Sequence, residues 1–247
     1  MYDAMLAETV FLTGHGGDRI EGYLARPLQP GPAGGVVVIH HRPGYDDPTK
    51  EITRRFAARG YAALCPNLFW REAPGASWDD AAAAARAAGG VPDDRLVGDV
   101  GGAASHLRSL TSANGMVGVI GFCSGGRQAF LAACRLDLDA AVDCYGAFVV
   151  ESPPPELPLR IGPILHLAPQ LRCPLLGLFG NEDSRPSPEQ VDELDRALAA
   201  AGKPHEFHRY DGAGHAFFAV DRPSYRPAVA TQAWEQVWDF LARYLTG

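Results

Sequence analysis

The chain has 247 residues, 47% of them hydrophobic, with 22 Lys+Arg against 29 Asp+Glu for a formal charge of −7. That hydrophobic share excludes wholesale disorder, and no apolar run approaches the ~18 residues of a membrane span. An acidic balance without blocks of like charge argues against a nucleic-acid partner, whose footprint is a basic face, and against docking on an anionic membrane.

A single α/β domain over residues 1–247 suits this length. It buries enough surface to need neither a disulfide nor a metal staple. Residues 9–13 and 19–26 read as two strands around the turn Gly14-His15-Gly16-Gly17, where glycine supplies the positive φ of a hairpin. The apolar run 35–39 reads as a strand buried on both faces. Residues 48–59 have helical spacing, with Ile52, Phe56 and Ala57 on one side and Gly60 as the stop. Residues 61–65 are the next strand. Trp70, Pro74, Gly75 and Trp78 read as loop. A short alanine-rich helix follows over 81–88, its acidic start Asp79-Asp80 suiting a helix N-terminus, and this segment reads as a surface cap. Residues 93–110 are helical in period despite Gly98, Gly101 and Gly102. Each glycine inside a helix costs ~1 kcal/mol, so close packing against a neighbour is implied. A strand over 116–121, a helix over 124–136 and a strand over 140–144 follow. Residues 151–168 carry Pro153, Pro154, Pro155, Pro158 and Pro163 and read as irregular. The chain closes with a strand over 174–180, a helix over 187–201, a strand over 206–210 and a helix over 227–244. Strands alternating with helices imply a mostly parallel sheet covered on both faces, with the first two strands as an antiparallel edge.

The sharpest feature is Gly121-Phe122-Cys123-Ser124-Gly125, between an apolar strand and a helix. The pattern G-x-nucleophile-x-G in that setting is a nucleophile elbow. A helix N-terminus also favours the nucleophilic thiolate. The other cysteines, Cys65, Cys134, Cys144 and Cys173, show no CxxC spacing and read as buried thiols of the reducing cytoplasm. A thiolate needs a base, and the base an orienting acid, in the order nucleophile, acid, histidine. Asp183, just past a strand end, and His215, in the Gly-rich loop Asp211-Gly212-Ala213-Gly214-His215, fill those places, with Glu182 and Asp211 as alternative acids. The loop His40-His41-Arg42-Pro43-Gly44-Tyr45 offers one oxyanion donor, the Arg42 backbone N–H, since Pro43 has none. The Ser124 N–H offers the other. His40 and His41 point to opposite faces as strand neighbours, so no metal site is expected there.

These residues together resemble the dienelactone hydrolase family of α/β-hydrolases over nearly the whole chain. The resemblance rests on the N-terminal hairpin, the stretch from Arg59 to Leu68, the cysteine elbow, Gly180-Asn181-Glu182-Asp183 and Gly214-His215-Ala216-Phe217. It implies an α/β-hydrolase fold, a triad of Cys123, Asp183 and His215, and cofactor-free hydrolysis of enol lactones and related esters. Where the family pattern has a glutamate paired with the resting nucleophile, this chain has His41, a candidate contact for Cys123. Where that pattern has an arginine four residues after the catalytic histidine, this chain has Ala219. Candidate carboxylate contacts are Arg42, Arg71, Arg86, Arg127, Arg222 and Arg226. Candidate pocket residues are His41, Trp70, Arg71 and Phe217, with Phe69, Trp78 and Phe218 as further aromatics. The expected reaction is hydrolysis of an activated small-molecule ester or lactone through a thioester. The alternatives are a non-catalytic small-molecule binder on the same fold and a redox-active thiol protein with Cys144 as resolving cysteine.

Overall fold

Nine residues of extended chain on each side of a one-turn 3₁₀ segment, His15–Gly17, form β1 (Met5–Thr13) and β2 (Arg19–Pro27). This hairpin is the antiparallel edge the sequence predicts, with β1 reaching further toward the N-terminus. Six more strands follow: β3 (Ala33–Ile39), β4 (Ala62–Pro66), β5 (Ala113–Phe122), β6 (Ala140–Cys144), β7 (Leu175–Gly180) and β8 (His205–Tyr210). They join one sheet in the order β1-β2-β4-β3-β5-β6-β7-β8, antiparallel up to the β2–β4 pair and parallel from there. The computed structural model describes residues 4–28, 31–157 and 159–246, so Pro158 lies outside the described residues.

Six helices cover the sheet: α1 (Asp47–Ala58), α2 (Trp78–Ala87), α3 (Asp93–Arg108), α4 (Ser124–Arg135), α5 (Pro188–Ala200) and α6 (Pro227–Leu245). One face packs Leu96 and Val100 of α3, Phe130 of α4 and Leu194 and Leu198 of α5 against Val37, Ile39 and Val119. The other packs Phe56 of α1 and Trp234, Val237 and Phe240 of α6 against Val36, Val38 and Ile120. Central strands buried on both faces explain the unbroken apolar run of β3. The glycines of α3 are explained by contact: a Cβ on Gly102 would overlap the Thr13 carbonyl, and one on Gly98 would run into His15. The hairpin therefore lies directly on the helix backbone.

α2 starts three residues earlier than its alanines suggest. Ser77 caps it, its Oγ accepting from the Asp80 N–H at 3.4 Å, so Trp78 belongs to the first turn and not to a loop. The proline-rich stretch is irregular as expected, apart from a 3₁₀ segment, Leu165–Gln170. Among the described residues, no helix is long and apolar enough to cross a membrane.

β3 connects outward to β4 on one side, while β5 to β8 extend on the other. The strand order reverses between β3 and β5, and a crevice opens at the carboxyl ends of strands on either side of such a reversal. Close to it lies one costly group. Asp143, at the end of β6, is fully buried. Its Oδ1 accepts from the Gly146 N–H at 2.7 Å, and its Oδ2 has no partner among the described residues. Burial, only partly opposed by the Gly146 bond, pushes its pKa up to about 7. The folded chain keeps this proton where the unfolded chain has released it. Stability therefore falls as pH rises from the ordinary carboxylate range to about 7, by up to about 4 kcal/mol from this group. Urea unfolding at pH 5 and pH 8 checks this: Asp143→Asn should be much less sensitive to that change than the unsubstituted chain. Equal sensitivity in both would overturn it.

Candidate active site

Cys123 joins β5 to α4 with φ 57° and ψ −120°, a backbone conformation that costs an L-residue of order 1–3 kcal/mol. The turn is possible because its flanks lack side chains. A Cβ on Gly121 would overlap the Gly125 carbonyl, and one on Gly125 would stand 2.7 Å from the Ile39 carbonyl oxygen. Cys123 is the one partly exposed cysteine of the five; the others are buried. Burial pushes the Cys134 and Cys173 thiols up to about 12 and the Cys65 and Cys144 thiols higher still, which leaves those four inert.

β3 and β5 are paired with Ile39 opposite Gly121, so His41 and Cys123 leave neighbouring strands two residues beyond that pair. The backbone N–H groups of Arg42 and Ser124 have no acceptor among the described residues. Free N–H donors of this kind are what an oxyanion site requires.

From the far side of the sheet, β7 and β8 supply an acid and an imidazole. Asp183 is buried, with Oδ2 2.8 Å from His215 Nδ1 and Oδ1 accepting from the Arg185 N–H at 2.8 Å. Glu182 and Asp211 are exposed, and Asp211 instead accepts from the Asn181 side chain. Burial disfavours a charge on His215, but the bond to Asp183 and the nearby Cys123 thiol outweigh it and raise the imidazole to about 10. The thiol and the ring are direct neighbours, and a hydrogen bond between them is among the causes that raise the imidazole. The ring also meets Tyr145 edge-on, centroids 5.1 Å apart. The non-glycine residues with left-handed φ among the described ones are Cys123, Tyr145, Phe148 and Ala216. All four border this site, where stored backbone strain is expected to gather.

Cys123, Asp183 and His215 open into one cavity of about 650 Å³. The segment read as a cap forms part of its wall through Trp78, Ala82 and Arg86 of α2. His41 lines it too, but its Nε2 bonds Asp46 at 2.6 Å, not Cys123. Asp46 is held in turn by the N–H and hydroxyl of Thr49 as the cap of α1. The His41 bond, acting against burial, holds Asp46 down at about 2. His40 points into the core. Its Nδ1 donates to the His41 carbonyl at 3.0 Å, its Nε2 accepts from the Leu68 N–H at 3.2 Å, and burial depresses it to about 4.

Three expected pocket residues lie elsewhere. Trp70 packs edge-on against Phe11 of the hairpin, 5.7 Å between centroids. Arg71 is locked bidentate on buried Asp99 at 2.8 and 2.9 Å and on Asp18 at 2.7 Å. Phe217 is fully buried between Tyr145, Tyr210 and Phe218, because the left-handed turn at Ala216 sends the chain back into the core. Phe69 is buried against His40. Among the candidate arginines, Arg127 is buried on Asp93 at 2.8 and 2.9 Å, and Arg226 donates to the carbonyls of Gly212, Pro223 and Tyr225. Arg42, Arg86 and Arg222 do line the cavity, joined by Arg185. Arg185 is missing from the sequence-derived candidates although it stands two residues past Asp183, at the same strand-end loop. None of these four has a carboxylate partner among the described residues.

The family model described as the dienelactone hydrolase family matches residues 20–245. The chain belongs to the dienelactone hydrolase family. As a member, it is a hydrolase of α/β fold. An Escherichia coli K12 protein provisionally named carboxymethylenebutenolidase is 35% identical over 237 residues, covering 92% of this chain and 84% of that protein. The Pseudomonas putida carboxymethylenebutenolidase is 28% identical, covering 96% and 97%. The crystal structure of a Klebsiella pneumoniae protein provisionally assigned as a dienelactone hydrolase superposes with a TM-score of 0.86 at 28% identity, over 98% of this chain and all of that one.

Proposed function

We propose that this chain hydrolyses activated carboxylic esters or lactones with Cys123 as nucleophile, His215 as acid and base, and Asp183 as its orienting partner. The Cys123 thiolate attacks the carbonyl carbon, and the oxyanion is held by the Arg42 and Ser124 N–H groups. The ester C–O bond breaks, the departing oxygen takes the proton of His215, and the acyl group remains on sulfur as a thioester. Water then gives a proton to His215 while its oxygen attacks the thioester. The C–S bond breaks, the acid leaves and the thiolate is restored. Because thiolate departs easily, the first tetrahedral intermediate goes forward only when the other leaving group is also good. Enol and phenol esters are therefore favoured over amides.

The reading rests on one observation: a partly exposed cysteine on a strained elbow shares its cavity with an imidazole that is bonded to a buried carboxylate. Four arginines without carboxylate partners suit a substrate with an anionic substituent. Five unpaired thiols fit the cytoplasm. Intact mass after brief mixing with p-nitrophenyl acetate tests the reaction: a transient acetyl adduct on Cys123 is expected. Run in parallel, a carboxylate-bearing aryl ester should show a lower KM than its neutral analogue, and the advantage should shrink in high salt. Turnover with no adduct at Cys123 would overturn the mechanism, and equal KM values would remove the anionic preference.

A further inference from the structure

A second cavity, of about 340 Å³, lies between α1 and the chain that follows His215. Its walls are largely apolar, with Ile52, Phe122, Tyr145, Phe218, Ala219 and Trp234, but Asp47, Glu51, Arg54, Arg55 and Asp221 also line it, and its size falls within the roughly 300–1,000 Å³ of small-ligand pockets. It has one residue in common with the cavity of Cys123, namely His41, whose ring is fixed as a sill by Asp46. Two of its walls adjoin the reacting groups. Phe122 precedes Cys123 in the elbow, and Tyr145 meets the His215 ring edge-on. Phe218 stands edge-on to both Phe122 and Trp234, at 5.6 and 5.1 Å between centroids, so the aromatic wall is braced and does not collapse into the space beside it.

We propose that this second cavity is the acyl subsite, taking the alkyl chain or aromatic ring of the acid half of the ester. The inference rests on the thioester reading above. The two halves of the substrate have different fates. The acid half stays on Sγ from the breaking of the C–O bond until water breaks the C–S bond, and the largely apolar recess that shares His41 with the cavity of Cys123 retains it. In an acyclic ester the departing half leaves once protonated, and the larger cavity, lined by Arg42, Arg86, Arg185 and Arg222, is its exit. The preferred substrates are then esters of medium-chain or aromatic monocarboxylic acids with the anionic substituent on the alcohol side.

The test compares p-nitrophenyl acetate, butyrate and hexanoate on the full chain. Each buried methylene is worth roughly fourfold, so kcat/KM should rise at least about tenfold from acetate to hexanoate. Ala219→Trp, which fills the cavity, and Ala219→Asp, which puts a carboxylate on its apolar side, should each cut the hexanoate-to-acetate ratio by about tenfold. Thermal unfolding and acetylation of Cys123, read by mass, report whether each variant is folded. If Ala219→Trp does not fold, the unsubstituted series and Ala219→Asp decide. A flat series in the unsubstituted chain overturns the subsite, as does an unchanged ratio in a folded variant or a length dependence that follows the phenol side instead. Absence of any acyl-Cys123 adduct with every ester would instead remove the thioester reading on which the subsite rests.

Discussion

Cys123→Ala is expected to lower kcat/KM for p-nitrophenyl acetate by at least ~10³-fold, since removing a nucleophile leaves only oxyanion stabilisation and binding. The loss should come with little change in stability. The methyl group of alanine fits where the Cβ of cysteine already sits, and the thiol is only partly buried against the core, so little packed volume is emptied. Equal thermal midpoints together with lost turnover would separate chemistry from folding. The opposite pair of results, undiminished hydrolysis by a stable variant, would place the nucleophile elsewhere. None of the other cysteines is a ready substitute, because burial keeps all four as thiols.

The elbow is legible in the sequence because its constraint is local. Two backbones pass so closely at Gly121 and Gly125 that no side chain fits, and the spacing of those glycines around Cys123 reports it directly. Asp183 and His215 are legible for a different reason: parallel strands all deliver their carboxyl ends to one edge, so chain order and strand ends suffice. Long side chains do not obey such rules. Arg71 and Arg127 choose Asp99 and Asp93, partners some thirty residues away that only the packing of α3 brings within reach. Trp70 is diverted to the hairpin in the same way. The true start of α2 was available as a capping pattern, with Ser77 three residues before Asp80, yet the alanine run hid it. The partner of His41 also had a signal. Asp46, followed by Asp47, Pro48 and Thr49, is a helix cap, and that role fixes its carboxylate where His41 finds it.

Asp183→Asn is expected to cost ~10³–10⁴-fold in kcat, because a neutral amide no longer holds the imidazole in the required tautomer or supports its charge. Asp183 accepts from His215 Nδ1 through one oxygen while the Arg185 N–H fixes the other, so the ring receives both orientation and charge compensation from a single buried group. Burial works against the protonated ring, and the Asp183 bond and Cys123 overcome it, holding the proton up to about 10. An imidazole this basic is a poor base toward water, yet the thioester must be hydrolysed. Acylation itself resolves the difficulty: with the sulfur in a thioester, one of the two groups that favour the proton is gone, and His215 releases it and becomes the base. NMR titration of His215 checks both halves of the argument. Its pKa should fall when Cys123 is capped with iodoacetamide, and fall again in Asp183→Asn. The linked stability has the same sign: the contribution of His215 is fully present below the ordinary histidine value of 6.5 and is lost as pH rises toward about 10. Asp183→Asn should lack much of that loss. A His215 titration unmoved by both changes would mean that neither the carboxylate nor the thiol controls the imidazole, and the acid-to-base switch would have no basis.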